Sequence, residues 1–287
     1  MKYCVIGAGG YVGRFLSEHL VKRGHSVDTV SSSRRGGIDP VTGLLSDLDL
    51  AGIDVVVYLA QSPFYRQLPE RAPHLMSVNC VSAVQAAITA QASNVPKFIY
   101  ASTGNVYQAS FDPFKEDSPL ERSSWYPLSK ILGEEGVRLA ATGMDLTCLR
   151  IFGVYGPNQT DKLIPNLVSR VLRGETVTVD RQPSQDEPDP GGMRTNPIYI
   201  DDAVRAIEAV AGIRGLPVLN FAGDEVLSIR QMVEIIGEVV GVSPDVTVND
   251  RTRAGDLIGD VSLFRAHYTA SLTPFKKGIR KVLEASQ

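Results

Sequence analysis

The sequence predicts an α/β fold, with a doubly wound parallel sheet followed by a smaller C-terminal lobe. Three observations lead to this prediction. Tyr3 to Ile6 is a short apolar run, and helical periodicity begins at Tyr11 after a glycine-rich turn. Apolar runs and helical patterns then alternate as far as Phe152, which calls for parallel strands with right-handed crossovers. The pattern changes after Gly156-Pro157, where the smaller lobe is expected to begin.

Length and charge exclude several classes of protein. The 287 residues are 43% hydrophobic and 21% charged, which is ordinary for a globular chain of this size. A net charge of −3 gives no general attraction to nucleic acid or to an anionic membrane. No apolar run reaches the roughly 18–20 residues of a membrane span, and no signal-peptide pattern is present, so a cytoplasmic protein is expected. The three cysteines and four histidines lack metal-ligand spacing, so no metal site is expected.

Gly7, Gly10 and Gly13 lie between the first strand and the first helix at three-residue spacing. Gly7 suits a tight turn, and Gly10 allows a pyrophosphate to approach backbone N–H groups at the positive end of a helix. Gly13 allows the helix to pack closely on the strand. The triplet therefore predicts dinucleotide binding, and the alternative is an ordinary structural turn.

The second strand, His25 to Ser31, ends without the acidic side chain that usually binds the adenine ribose of NAD. Hydroxyl and guanidinium groups, which can hold a ribose 2′-phosphate, stand there instead: Ser31, Ser32, Arg34 and Arg35. NADP(H) is therefore favoured and NAD(H) remains possible. The alternative for this segment is a solvated basic loop.

The next segments continue the alternation. Thr42 to Leu45 is expected to be a short third strand and Asp54 to Ala60 a fourth, buried on both faces. Asp47 is expected to meet the adenine, and Gln61 to line the cofactor cleft. The remaining expected elements are helix 76–92, strand 97–102, helix 126–141, strand 145–152, helix 163–173, loop 181–192, a strand and helix over 196–210, and helices 229–240 and 275–283.

Tyr126 and Lys130 are four residues apart, so a helix places the phenol and the ammonium on one face. A free tyrosine, with a pKa near ~10, is a poor base at pH 7. A neighbouring ammonium and an oxidised nicotinamide ring both favour the phenolate. Ser102 and Thr103 end a predicted central strand, at the edge where open α/β sheets bind ligands. Their hydroxyls can bond a substrate oxygen while Tyr126 moves its proton, or they can simply terminate the strand.

Together these motifs resemble the extended short-chain dehydrogenase/reductases of the NAD-dependent epimerase/dehydratase family, whose members have a Rossmann-like domain and mostly modify nucleotide sugars. The resemblance runs from Lys2 to about Leu283. It rests on Gly7-x-x-Gly10-x-x-Gly13, Leu59-Ala60, Asn79, Ala101 to Tyr107, Tyr126-x-x-x-Lys130, Leu149 to Pro157, Ile198 to Asp202 and Arg253 to Asp256.

The resemblance implies a role for particular residues. Thr103 is the catalytic hydroxyl, with Ser102 second, while Tyr126 is the acid/base and Lys130 holds the nicotinamide ribose. Further implied cofactor contacts are Tyr11, Val12, Leu59, Ala60, Asn79, Ala101, Phe152 and Val154. Implied substrate residues are Asn105, Gly153, Arg194, Asn196 and Arg253, the last for the sugar-nucleotide diphosphate. Helices 76–92 and 126–141 are implied to form a homodimer interface.

The chain departs from the family pattern at three places. Gly104-Asn105 replaces the acidic pair of the 4,6-dehydratases, which disfavours dehydration. Gly153 stands where many epimerases have a substrate-binding Asn. The usual Arg before the late strand falls on Thr195, with Arg194 shifted by one.

Three functions therefore stay open. An NADPH-dependent 4-ketoreductase acting on a nucleotide sugar leads, because the arginines after the second strand suit NADPH. A 4-epimerase with retained cofactor is the alternative, and a non-catalytic cofactor-binding relative is the third. The expected domains are a cofactor domain over 1–157, rejoined by 196–212, and a substrate lobe over 158–195 and 213–287.

Overall fold

The computed structural model describes residues 1–31, 37–183 and 191–285. Its strands are β1 (Lys2–Ile6), β2 (Ser26–Val30), β3 (Val55–Tyr58), β4 (Lys97–Thr103), β5 (Asp145–Ile151), β6 (Val154–Tyr155), β7 (Val177–Arg181), β8 (Arg194–Thr195), β9 (Ile198–Tyr199), β10 (Val218–Phe221), β11 (Leu227–Ser228) and β12 (Val246–Thr252). Its helices are α1 (Tyr11–Lys22), α2 (Ala72–Met76), α3 (Ser82–Ala92), α4 (Trp125–Ala140), α5 (Leu163–Leu172), α6 (Ile200–Ala211), α7 (Ile229–Val240), α8 (Ser262–His267) and α9 (Phe275–Glu284). In the described ranges, each helix is too short or too polar to cross a membrane.

The main sheet has six strands in the order β10-β5-β4-β3-β1-β2. The pairs β2–β1, β1–β3, β3–β4 and β4–β5 are all parallel. Every residue of β3 and β4 is buried, which explains why these strands read as continuous apolar runs rather than alternating ones. The α/β fold class with a doubly wound parallel sheet is confirmed.

The expected third strand at Thr42 to Leu45 is wrong. The Asp39 carboxylate accepts hydrogen bonds from the backbone N–H groups of Val41 (2.9 Å) and Thr42 (2.7 Å), which closes a turn. Gly43 then adopts a φ of +73°, so the chain folds back and makes only an antiparallel bridge between Ile38 and Leu45. As a result β2 is the edge of the sheet, and the sixth strand is β10 at the opposite edge.

The helix expected over 76–92 is longer and interrupted. It begins at Ala72 as α2, passes through a π-helical turn at Ser77–Val81, and continues as α3. Asn79 therefore lies inside this π-turn rather than near a helix start. The helix expected from Tyr126 begins one residue earlier, at Trp125.

The first compact unit comprises Met1–Gln108, Pro119–Ile151 and Val204–Leu219. Its core is a continuous cluster of buried side chains from β1, β3 and β4 and from the α3 and α4 helices. Small alanines on α3 (Ala83, Ala86, Ala87 and Ala90) are fully buried, so this helix lies close to its neighbours.

The second compact unit comprises Ala109–Ser118, Phe152–Ala203 and Asn220–Gln287. In it β7 pairs in parallel with β12, and α7 packs against α5 and α9. Ser228 and Gln231 form a capping box at the start of α7, where they exchange side-chain and backbone hydrogen bonds. The functional assignment of the two units as a cofactor domain and a substrate lobe stays a prediction.

Candidate active site

The glycine turn between β1 and α1 is too tight for side chains. Gly7 has a φ of +94°, and a Cβ there would lie 2.6 Å from the backbone nitrogen of Ala60. A Cβ on Gly13 would lie 2.3 Å from the Gly7 carbonyl oxygen. Gly10 caps α1 in an extended conformation, and Tyr11 and Val12 form its first turn. A pyrophosphate fits this arrangement, because the first backbone N–H groups of a helix have no partner within the helix and point towards its start.

The structure describes only some of the residues predicted to distinguish NADP from NAD. Ser31 is half-buried directly after β2, and its Cβ lies 3.5 Å from where a Cβ on Gly9 would be. Ser32, Arg34 and Arg35 lie outside the described residues. Asp47 is exposed in the segment after the 39–45 turn. Within the described ranges, no group of three or more His, Cys, Asp and Glu side chains could hold a metal ion.

The Tyr126 hydroxyl lies among three side chains. It donates a hydrogen bond to Gln61 Oε1 at 3.2 Å, and it also hydrogen-bonds Thr103. The Tyr65 ring lies 5.8 Å from the Tyr126 ring. Burial raises the pKa of Tyr126 to about 12, although its hydrogen bonds with Thr103 and Gln61 act to lower it. The resting group is therefore a neutral phenol.

Lys130 lies one turn along α4 and is buried. Its Nζ donates to the Ala101 carbonyl oxygen at 2.8 Å and lies 5.1 Å from the centre of the Tyr100 ring. Burial lowers the pKa of Lys130 to about 7, and the Glu134 carboxylate acts in the opposite direction. The ammonium is therefore half-titrated near neutral pH.

The two hydroxyls at the end of β4 differ in their contacts. Thr103 Oγ1 reaches Tyr126 and accepts hydrogen bonds from the backbone N–H and side-chain amide of Asn105, both at 3.2 Å. Ser102 Oγ is buried and has no hydrogen-bond partner among the described residues. The geometry therefore favours Thr103 as the hydroxyl that works with Tyr126, and leaves Ser102 Oγ open to a ligand atom.

Asn79 is connected to α4 through one serine. Its side-chain nitrogen donates to Ser129 Oγ at 3.0 Å, and Ser129 Oγ donates to the Tyr126 carbonyl oxygen at 2.8 Å. Asn79 Oδ1 is buried without a hydrogen-bond partner in the described part of the chain. Like Ser102, it presents an orphaned polar atom that a cofactor can satisfy.

A buried ion pair beneath α4 was not expected from the sequence. Arg150 on β5 donates to both carboxylate oxygens of Glu134, at 3.0 and 2.7 Å. It also donates to the Tyr107 hydroxyl at 2.8 Å. One signal in the sequence could have revealed the pair, namely that Arg150 lies within the apolar run 145–152. A charged side chain in such a run is almost never buried unless it is paired.

The predicted substrate residues of the second unit are hydrogen-bonded to other residues of the same unit. Arg253 is buried and donates to Asp256 Oδ1 at 3.2 Å, and Arg194 donates to Asp256 Oδ2 at 2.7 Å. The Asn196 side chain bonds the backbone N–H and carbonyl of Gly259, at 3.0 and 2.9 Å. The Gly153 carbonyl accepts from the backbone of Ile198 at 2.8 Å. The sequence did not signal Asp256 as the carboxylate shared by two arginines.

Phe152 and Val154, also predicted to contact the cofactor, belong to the second unit as well. Phe152 is buried and stacks on Phe114 with ring centres 6.2 Å apart. Val154 is half-buried in β6 and pairs with Ile198 of β9. Leu59 and Ala60, by contrast, lie directly after β3, where the Ala60 backbone meets Gly7.

The sequence model of the NAD dependent epimerase/dehydratase family matches residues 3–213. The chain belongs to this family. The resemblance read from the motifs is thereby confirmed.

Several relatives are similar over most of their length. An uncharacterised UDP-glucose epimerase, YtcB, of Bacillus subtilis is 27% identical over 281 residues, which cover 88% of this chain and 86% of the relative. UDP-glucose 4-epimerase of Mycolicibacterium smegmatis is 28% identical over 284 residues, covering 90% and 88%. A solved structure of UDP-glucuronic acid 4-epimerase from Bacillus cereus in complex with NAD has a TM-score of 0.81 at 23% identity, covering 99% and 98%. That structural likeness shows the shared fold.

Proposed function

We propose that the protein is a nucleotide-sugar 4-epimerase that keeps its nicotinamide dinucleotide bound through the reaction. The observation that carries this proposal is the Tyr126 hydroxyl, which is hydrogen-bonded to Thr103 and Gln61 one turn from a buried lysine. Relatives of similar length that act as UDP-sugar 4-epimerases support it over the ketoreductase favoured from the sequence alone.

The residues that would hold the dinucleotide lie in the first unit. The glycine turn at Gly7 to Gly13 would take the pyrophosphate, and Asn79, Ser102 and Lys130 offer polar groups for the nicotinamide half. When bound, the nicotinamide accepts a hydride from a sugar carbon and returns it. The protein has to move the accompanying proton and hold the sugar oxygen.

Tyr126 would move that proton. With a pKa of about 12, deprotonating the phenol at pH 7 costs roughly 7 kcal/mol, which is more than for a free tyrosine. The hydrogen bonds with Thr103 and Gln61 reduce this cost, and a Lys130 ammonium one turn away would favour the phenolate. Thr103 would also bond the sugar oxygen and keep it in line with the phenol.

An assay without added reductant separates the two leading functions. An epimerase converts UDP-glucose or UDP-glucuronic acid into an equilibrium mixture with its 4-epimer, which NMR of the anomeric proton resolves. A ketoreductase leaves these sugars unchanged and consumes NADPH with a 4-keto nucleotide sugar. The proposal is overturned by NADPH consumption with a 4-keto sugar and no epimer from any of the UDP-sugars.

The choice between NAD and NADP, which differ by a ribose 2′-phosphate, is a second question, and two observations point in different directions. Structures with this fold were solved with NAD, whereas the Ser31 to Arg35 segment carries two arginines and no acid. If the arginines bind a 2′-phosphate, replacing Arg34 and Arg35 with Ala weakens NADPH binding by about 1–3 kcal/mol and NADH binding much less. Calorimetry with both cofactors measures this, and equal losses assign the segment to a solvated loop.

We also propose a homodimer formed through α3 and α4. Val81, Ile88 and Leu139 are exposed on or beside these helices, so a partner subunit packed there would bury three large apolar side chains. Light scattering is expected to give a dimer mass, and Ile88→Glu with Leu139→Lys is expected to shift it to a monomer. A monomer mass for the parent protein across concentrations contradicts the proposal.

A further inference from the structure

Two tyrosines lie side by side in the centre of the first unit. Tyr58 on β3 and Tyr100 on β4 are register partners, and their rings stack with centres 5.9 Å apart. Both side chains are fully buried. A buried phenol needs a hydrogen-bond partner, so the destination of each hydroxyl is informative.

Both hydroxyls bond the π-turn at Ser77–Val81. Tyr58 donates to the Val78 carbonyl oxygen and Tyr100 to the Asn79 carbonyl oxygen, each at 2.5 Å. A π-turn departs from the α-helical hydrogen-bond pattern, and its buried carbonyls need donors from elsewhere. Burial raises the pKa of both phenols far above the physiological range, so both remain protonated donors.

The π-turn in turn carries the side chain that reaches α4. Asn79 is part of this turn, and its amide bonds Ser129, which bonds the backbone carbonyl of Tyr126. Fixing the Asn79 backbone therefore fixes one support of the first turn of α4.

Tyr100 also touches α4 directly. Its ring lies 5.1 Å from Lys130 Nζ. A Cβ on Gly133 would lie 2.2 Å from the Tyr100 hydroxyl oxygen and 2.4 Å from the Asn79 carbonyl oxygen. The helix that bears Tyr126 and Lys130 thus packs against the Tyr100–Asn79 hydrogen bond itself.

We propose that Tyr58 and Tyr100 are positioning residues of the active site, which fix the π-turn and, through Asn79 and Ser129, place Tyr126. The inference rests on the proposed function for its kinetic consequence. It differs from a purely structural role because the proposed effect of each hydroxyl on Tyr126 passes through the Asn79 side chain.

The test uses Tyr100→Phe and Tyr58→Phe, which keep the rings and remove only the hydroxyls. Tyr155→Phe is the matched control, since Tyr155 is also a buried tyrosine whose hydroxyl bonds a backbone carbonyl, that of Phe275 at 3.5 Å. For each variant we measure the melting temperature, kcat and KM for the converted UDP-sugar, and the Kd of NADH. The Tyr100→Phe change is also combined with Asn79→Ala.

Tyr100→Phe is expected to lower kcat about tenfold and to weaken NADH binding, at a loss of stability similar to that of the control. In the Asn79→Ala background, Tyr100→Phe is expected to cause little further loss. Values of kcat and Kd within twofold of the control, or fully additive losses with Asn79→Ala, overturn the inference. If the parent protein converts no UDP-sugar, the proposed function fails. The Kd of NADH in the Tyr100→Phe variant, and whether its change adds to that of Asn79→Ala, still decide the inference.

Discussion

At the scale of single residues, the Tyr126 hydroxyl is the atom on which the proposed chemistry depends. Tyr126→Phe keeps the ring and its packing and is expected to lower kcat by about 10² or more while leaving NADH binding nearly unchanged. Tyr65→Phe is the matched control, because its ring lies 5.8 Å away but its hydroxyl has no proposed role in proton transfer. Turnover of Tyr126→Phe at the parent rate, measured under saturating UDP-sugar, contradicts the mechanism.

Lys130 gives a prediction about stability. Its folded pKa of about 7 lies below the unfolded value of 10.5, so the unfolded chain binds the proton more tightly. Stability therefore rises with pH between about 7 and 10, and the buried ammonium costs on the order of 5 kcal/mol below pH 7. Lys130→Met removes this cost.

Thermal melts at several pH values measure this effect. Lys130→Met is expected to melt above the parent at pH 6 and to lose that advantage by pH 9. Lys2→Met is the control, because Lys2 is an exposed lysine paired with Asp28. A Lys130→Met protein that melts below the parent at pH 6 contradicts the interpretation of the lysine as a destabilising buried charge.

At the scale of elements, the glycine turn can be tested with a matched pair of substitutions. Gly7 and Gly24 have similar positive φ values, +94° and +83°, so alanine strains the backbone at both. Only at Gly7 does a Cβ collide with neighbouring backbone, whereas nothing lies within 4 Å of it at Gly24. Gly7→Ala is expected to abolish NADH binding and Gly24→Ala to cost only about 1 kcal/mol of stability.

Calorimetry with NADH and thermal melts measure the two outcomes. Equal affinities of the Gly7 and Gly24 variants for NADH would show that the glycine turn does not bind the cofactor.

Most elements with a local cause could be predicted from the sequence, whereas the π-turn, whose cause is distant, could not. The glycine triplet, the Tyr126–Lys130 spacing and the Ser228–Gln231 cap each act within a few residues, and each lies in the expected element. The π-turn is tied to tyrosines on two strands, which lie 20 and 21 residues away along the chain, and periodicity does not report such contacts. The missing third strand has a local cause, the Asp39 carboxylate, which the apolar pattern of 42–45 does not reveal.

At the scale of the whole molecule, the proposed binding of a nucleotide sugar would depend on charge in the second unit. Arg253 and Arg194 both pair with the Asp256 carboxylate, and their two guanidinium groups suit a diphosphate. Arg253→Ala is expected to raise KM for a UDP-sugar more than tenfold and to leave the Kd of NADH within twofold. Arg265→Ala, an arginine paired with exposed Asp224, is the control. An unchanged KM for Arg253→Ala would make this arginine part of a structural ion pair.

The turn at Asp39 that replaces a third strand has a consequence for solubility. It leaves β2 at the edge of the main sheet, where unpaired backbone groups are a template for pairing with another chain. This strand is only five residues long, and all five of its residues are exposed or half-buried. Asp28 at its centre is charged and paired with Lys2 on the neighbouring strand. A short edge strand with a carboxylate at its centre disfavours pairing with a strand of another chain. The absence of a third strand therefore does not create an aggregation-prone edge at β2.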